Sequence, residues 1–230
     1  SERRNDVVEL AESTPVIDFF QNRDLGMSYR YGLGVNIQLI EDRFDYLTTR
    51  TSGDVRQAFV GFMLIDRSGE TLATWRTPPG EERFVRGFQA ESREIRTHLD
   101  VKDGLLRFTA PVWINGRYRG EILAWVDPES SFTQFGSVRS SRRSILTDRQ
   151  SGQALHGNTA PPLTATDRQA IRAASMATDL GTSFDGDNQH YQLTRFDVDH
   201  TPLALVSFAP SRNLESSTAR LFVIAAAILP

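Results

Sequence analysis

Ala110-Pro-Val-Trp-Ile-Asn115-Gly116-Arg-Tyr-Arg-Gly120-Glu-Ile-Leu-Ala-Trp125-Val-Asp127 reads as two apolar strands folded back on a two-residue turn. Asn-Gly suits the tightest hairpin turn because both of its central residues need positive φ, and the flanking runs are rich in β-branched and aromatic residues. A similar pattern recurs downstream as His190-Tyr-Gln-Leu-Thr-Arg-Phe196, a turn over Asp197 to His200, and Pro202-Leu-Ala-Leu-Val-Ser-Phe208. Each of these hairpins is preceded by another apolar strand that runs into an Asp/Ser/Gly turn. The first is Phe62-Met-Leu-Ile-Asp66-Arg67-Ser68-Gly69-Glu-Thr-Leu72; the second is Ser144-Ile-Leu-Thr-Asp148-Arg149-Gln-Ser151-Gly152-Gln-Ala-Leu155. Thr166 to Met176 reads as a short capped helix inside the second block. The order hairpin, helix or loop, hairpin therefore occurs twice, and predicts an α+β chain with two small antiparallel sheets, each flanked by helix.

Upstream of the sheets the pattern is helical. Thr14-Pro15 marks a helix start, with a hydroxyl able to accept from orphan amides and the imino acid favoured at the first helical position. Apolar positions run from Ile17 through Phe20 and Leu25, interrupted near Asn22 to Gly26, and from Ile40 through Phe44 to Leu47 at helical spacing, with Tyr31 to Leu39 closer to alternation. The expectation is a long N-terminal helix lying along the outside of the strand-rich blocks. Its exposed stripe would favour a homodimer.

At the other end, Leu221-Phe-Val-Ile-Ala-Ala-Ala-Ile-Leu-Pro230 follows Arg220 as an unbroken apolar run. Crossing a bilayer takes ~20 such residues, so the run reads as the opening turns of a transmembrane helix. The rest is polar enough to fold in water, with 39% hydrophobic residues in 230 and a mean hydropathy of -0.36. A net charge of -3, with scattered arginines and Lys102 as the single lysine, argues against nucleic acid as a partner. The absence of cysteine rules out a disulfide framework or a thiolate metal site and suits an oxidising compartment.

With these residues in view, the chain resembles a double Cache sensor domain, the PAS-like extracytoplasmic input module of bacterial sensor kinases, diguanylate cyclases and chemoreceptors. The resemblance is carried by Asp18-Phe-Phe-Gln-Asn22 to Tyr31-Gly32-Leu33, by Ile65-Asp66-Arg-Ser-Gly69, and above all by Ala110-Pro111-Val-Trp-Ile-Asn115-Gly116 to Gly120, closing on Asp127. It implies a helical segment over 1–55, a membrane-distal module over 56–136, a membrane-proximal module over 137–212, and an exit segment with the start of a transmembrane helix over 213–230. It also implies a domain on the periplasmic or extracellular side of the inner membrane. A histidine kinase is the expected output; a diguanylate cyclase or a chemoreceptor is the alternative.

In domains of this kind the ligand lies between the distal sheet and loops folded over it. The resemblance points to Asp127, and strand alternation then places Trp125 and Leu123 on the same face, with Ile122, Ala124 and Val126 on the helix side. Arg86 and Phe88, in the long segment from Pro78 to His98, partly match the Arg-x-Trp-Tyr motif of amino-acid-binding members, and His98-Leu-Asp100 stands where Tyr-x-Asp would lie. Phe108, on the preceding strand, completes the candidate set. An Arg fork can pair with a carboxylate, and Asp carboxylates beside an aromatic wall can hold an ammonium. Phe88 cannot donate the hydrogen bond of a Trp, Gln89 replaces an aromatic residue and His98 replaces a phenol, so the implied ligand is a small polar molecule: amino acid, amine or carboxylate. Asp127 before Pro128 also fits a turn or helix cap, and Trp75, Trp113 and Trp125 also fit a core.

No nucleophile elbow, His-Glu-x-x-His, phosphate-binding Gly/Lys loop or His/Cys cluster occurs, and His98, His156, His190 and His200 are dispersed. The expectation is no catalysis, no metal and no cofactor in these residues. A competing reading makes the chain a docking module for a periplasmic binding protein.

Overall fold

The computed structural model describes residues 2–49, 59–76, 92–100, 104–128, 143–155, 164–177, 181–186, 189–198 and 201–210. The chain divides into two compact units, Glu2–His98 with Leu105–Ser131, and Leu99–Gly104 with Phe132–Pro230.

In the first unit the N-terminal segment is three helices rather than one: α1 (Glu2–Ala11), α2 (Thr14–Asp24) and α3 (Leu33–Thr49), with a 3-10 turn over Tyr29–Tyr31. This corrects the expected long helix, and the physical reason is local at each break. Ser13 is extended (φ -70, ψ 148), its hydroxyl donates to the Leu10 carbonyl at 2.7 Å, and Pro15 sits in the first turn of α2, where its missing N–H is harmless. After α2, Gly26 takes φ 75, its N–H donates to the Arg23 carbonyl at 3.0 Å, and the Met27 N–H reaches back to the Asn22 carbonyl at 3.0 Å. That pair of bonds with a left-handed glycine is a Schellman stop, which satisfies carbonyls left open at the helix end. The stretch from Leu33 to Leu39, whose spacing looked closer to alternation, is helical and belongs to α3.

The sheet of this unit comprises β1 (Phe59–Asp66), β2 (Thr71–Trp75), β3 (Arg96–Asp100), β4 (Leu105–Ile114) and β5 (Arg117–Val126), in the order β2-β1-β5-β4-β3. β4 and β5 form the hairpin expected around Asn115-Gly116, whose φ values of 51 and 75 are both left-handed. Helices cover one face. Phe44 of α3 stacks on Phe62 of β1 with ring centroids 5.0 Å apart, and the Arg3 guanidinium of α1 lies 5.5 Å from the Phe59 ring centre. Val7, Leu10, Phe20 and Ile40 are buried with them. Burying an aliphatic or aromatic side chain of this size stabilises by about 1.5–3 kcal/mol, so this layer contributes much of the unit's stability.

Ion pairs fasten the helices to the turn after β1. Asp66 Oδ1 accepts from the backbone N–H groups of Ser68 at 2.8 Å and Glu70 at 3.0 Å and from the Ser68 hydroxyl, while Arg23 of α2 lies 2.9 Å from Oδ2. Burial opposes ionisation of this carboxyl, but those hydrogen bonds and Arg23 outweigh it and hold the group below its ordinary range. Asp24 at the end of α2 pairs with Arg119 of β5.

The second unit repeats the plan. β6 (Arg143–Asp148), β7 (Gly181–Gly186), β8 (Gln189–Asp197) and β9 (Leu203–Pro210) form a sheet in the order β6-β9-β8-β7, and a bridge between Thr147 and Ala154 stands where β2 stands in the first sheet. Asp148 repeats the role of Asp66, accepting from the N–H groups of Gln150 at 3.1 Å and Ser151 at 3.0 Å. α4 (Ala165–Met176) begins with a capping box between Thr164 and Asp167, two residues ahead of the Thr166 start read from the sequence. Its inner face, Ala170, Ile171 and Ala174, packs with Ile145, Leu193 and Val206 in a closed apolar core. Arg195 of β8, paired with Asp197 at 3.0 Å, donates to the Ser175 carbonyl at 3.0 Å and to that of Ala177, closing the end of the helix.

No helix among the described residues is long and apolar enough to cross a membrane. The terminal run expected to enter the bilayer, 213–230, lies outside the described residues.

Candidate functional site

The face of the first sheet turned away from α1 and α3 carries the unusual chemistry. Register fixes its members: Met63 pairs with Leu123, Ile65 with Glu121 and Gly61 with Trp125 across β1 and β5, while Arg107 pairs with Trp125 and Thr109 with Leu123 across β4 and β5. Met63, Ile65, Leu123 and Trp125 form one buried apolar cluster, flanked by Val60 and Leu105. This is the face split that alternation predicts for Trp125 and Leu123, with Ile122, Ala124 and Val126 on the helix side.

Phe108 does not belong with them. It pairs with Ala124, which pairs with Phe62, and that places it on the helix-covered face. The candidate set is corrected at this position, because face depends on register and register is invisible in a single strand's residues.

Glu121 is the group that sequence reading missed. It is 2% exposed in the middle of β5, next to apolar neighbours, yet it is a carboxylate. Arg96 of β3 donates to it in an ion pair, and the Tyr118 hydroxyl donates a second hydrogen bond. Burial drives the Glu121 carboxyl above its ordinary range against the opposing pull of Arg96, Tyr118 and Arg107. Tyr118 is pushed up as well, first by burial and then by the charge of Glu121. Tyr118 reaches this face because of a bulge: Val112 pairs with Gly120 but Trp113 pairs with Tyr118, which leaves Arg119 as the extra residue and turns Tyr118 over. Trp113 lies beside Tyr118 with ring centroids 5.8 Å apart, and the Arg93 guanidinium stands 5.3 Å from the Trp113 ring centre. The sequence signal was a lone acid inside Gly120-Glu-Ile-Leu-Ala-Trp-Val126, two residues from Leu123 and four from Trp125 on one face.

Of the remaining candidates, Asp127 directly follows β5 and is half-buried. His98 is exposed on β3 and shares the alternation of Arg96. Asp100 ends β3, but it is grouped with the other compact unit. Arg86 and Phe88 lie outside the described residues. Among the described residues no three His, Asp or Glu side chains are grouped as a metal site. On this face, then, an indole and an apolar cluster lie beside the charged groups of Glu121, Arg96 and Arg107.

The chain holds a five-stranded and a four-stranded antiparallel sheet, each with its first strand beside its last, and shares this fold with the solved structures below. No family model matches the sequence, and no curated protein matches it. Solved structures do. One is the extracellular domain of a protein described as the histidine kinase vpHK1S-Z8, with a TM-score of 0.61 and 13% identity over 93% of this chain and 88% of that one. Another is a domain of a sensory box/GGDEF family protein from Vibrio parahaemolyticus, with a TM-score of 0.56 and 14% identity over 94% of this chain and 89% of that one. A third is the ligand-binding domain of the Pseudomonas aeruginosa amino acid chemoreceptor PctC in complex with GABA, with a TM-score of 0.56 and 13% identity over 90% of each chain.

Proposed function

We propose that the chain is the extracytoplasmic ligand-sensing part of a transmembrane signalling receptor, and that a small polar molecule binds the first, membrane-distal module. The observation that carries this reading is the face of the first sheet opposite α1 and α3. There a buried carboxylate, Glu121, and a fully buried indole, Trp125, sit on a face that α1 and α3 leave to other groups. The fold shared with sensor domains of a histidine kinase, a GGDEF protein and a chemoreceptor supports the same role. The apolar filling of the second unit, closed by Ile171, Leu193 and Val206, suits a transmitting module. A ligand that binds one conformation of the first module better shifts the population toward it, and the change is passed to a cytoplasmic histidine kinase.

The domain works as a homodimer in this reading. Val35, Leu39 and Tyr46 are exposed on one stripe of α3, and Leu25, Met27, Tyr29 and Tyr31 are exposed in the turn before it. The same patch favours the second reading, in which a periplasmic binding protein docks there.

Thermal-shift screening of amino acids, amines and small carboxylates tests the primary reading, repeated on Asp127→Ala. The expected outcome is a stabilising compound whose shift is reduced by that substitution. A shift that survives unchanged removes Asp127 from the site, and a full panel without any shift contradicts ligand sensing.

A further inference from the structure

Met27 stands in the exposed turn between α2 and α3, and its sulfur is built into that turn. The residue is 40% exposed. A side chain grown at Gly32 would place its Cβ 3.0 Å from Met27 Sδ and 4.0 Å from Met27 Cβ, and would meet nothing else within 4 Å beyond its chain neighbours. The thioether therefore fills the space over Gly32 that a Cβ would take. Gly32 has φ 139, a conformation that favours glycine, so a side chain at position 32 is not available as the filler.

The contact lies at the start of α3. The Gly32 carbonyl accepts from the Asn36 N–H at 3.2 Å, and the Ser28 carbonyl accepts from the N–H groups of Tyr31 at 3.0 Å and Leu33 at 3.4 Å. Asn36 ties this turn to α2 by accepting from the Asn22 side chain at 2.9 Å. An apolar sulfur thus supports a turn whose hydrogen bonds are few and partly long, the kind of segment that opens locally.

The other two methionines are placed differently. Met63 is 1% exposed, and its sulfur accepts from the Thr71 hydroxyl at 3.8 Å. Met176 is exposed at the last position of α4, where Arg195 holds the neighbouring carbonyls of Ser175 and Ala177. Reactivity toward oxidants follows exposure, which sets Met27 and Met176 apart from Met63. Met27 combines a reachable sulfur with a packing role at a helix start.

We propose that Met27 is an oxidant-responsive modification site: a peroxide converts its thioether to the sulfoxide, and the sulfoxide loosens the start of α3. A sulfur lone pair attacks one peroxide oxygen, the S–O bond forms and the O–O bond breaks. The departing oxygen leaves as hydroxide and takes the proton from the transferred oxygen to become water. The sulfide loses two electrons and the peroxide gains them. The product is polar and chiral where the fold had an apolar filler, and methionine sulfoxide reductases return it to the thioether. The device acts through the α2–α3 turn and does not depend on what the first sheet binds.

Limited treatment of the whole chain with hydrogen peroxide, followed by mass mapping, is expected to place the sulfoxide on Met27 and Met176 and to leave Met63 unmodified. Hydrogen exchange at the amides of 33–36 is expected to quicken about fivefold on oxidation and to return to its starting rate after methionine sulfoxide reductase. Met27→Leu keeps an apolar filler that peroxide does not oxidise, so exchange at 33–36 is expected to ignore peroxide in that variant. Met176→Leu leaves Met27 as the single exposed methionine, so a peroxide response in it that the reductase reverses reads the same site without a substitution at 27. Met27 left unoxidised while Met176 reacts, unchanged exchange at 33–36 with Met27 oxidised, or equal quickening in Met27→Leu each overturns the inference.

Discussion

At the scale of single residues, Glu121 sets the electrical character of the site. A carboxylate this buried is retained against a substantial desolvation penalty, and Arg96 and Tyr118 compensate only part of it. The pH dependence follows from the direction of its shift. The unfolded chain releases this proton near the ordinary value of 4.5, whereas the folded chain holds it to higher pH. Between those two points the folded state binds more protons than the unfolded one, so the contribution of Glu121 to stability falls as pH rises through the window. Asp66 has the opposite sign: its contribution is present above the ordinary value and is lost as acid titrates the depressed carboxyl. Glu121→Gln removes the first effect and keeps a hydrogen-bonding group of the same shape. Urea unfolding from pH 4 to 8 is expected to show the variant gaining on the parent as pH rises; a constant difference across that range contradicts the account of Glu121. The sequence offered this residue only as an acid in an apolar run. Its partner Arg96 stands 25 positions away on β3, and only the sheet order, with β4 between β3 and β5, brings them together.

At the scale of elements, much was legible, and the failures have one source. Asn115-Gly116 announces its hairpin because the turn demands two left-handed residues, and the Asp66 and Asp148 turns announce the repeat because both carboxylates satisfy the amides of the turn. Thr14-Pro15 announces a helix start, and the break in the apolar run near Asn22 to Gly26 marks the end of α2, where Gly26 takes φ 75. Phe108 was misplaced because alternation fixes faces within a strand, while pairing between strands needs the register of β4 against β5. The stripe Val35, Leu39 and Tyr46 on α3 carries its own expectation. Leu39 is 47% exposed on the outward stripe of α3 and is absent from the buried core. Leu39→Asp is therefore expected to leave the unfolding midpoint within roughly 0.5 kcal/mol of the parent while shifting the mass measured by light scattering from dimer to monomer. A chain that is monomeric before the substitution contradicts the dimer and leaves the patch to a docking partner.

At the scale of the whole molecule, the two units share a strand plan but differ in what packs against the sheet. In the second, α4 closes over Ile145, Leu193 and Val206, and Arg195 fastens its end through the carbonyls of Ser175 and Ala177. In the first, helices cover the opposite face, and the Trp125 face holds an ionisable cluster and an indole donor without an acceptor among the described residues. Ligand sensing by the first unit is the claim on which the rest depends. Hydrogen–deuterium exchange with and without the most stabilising compound of the panel tests it most directly. Protection is expected in the peptides spanning β3 to β5, residues 96–126, with those spanning 164–210 unchanged at the same compound concentration. Protection confined to 143–210, with β4 and β5 unaffected, would contradict it.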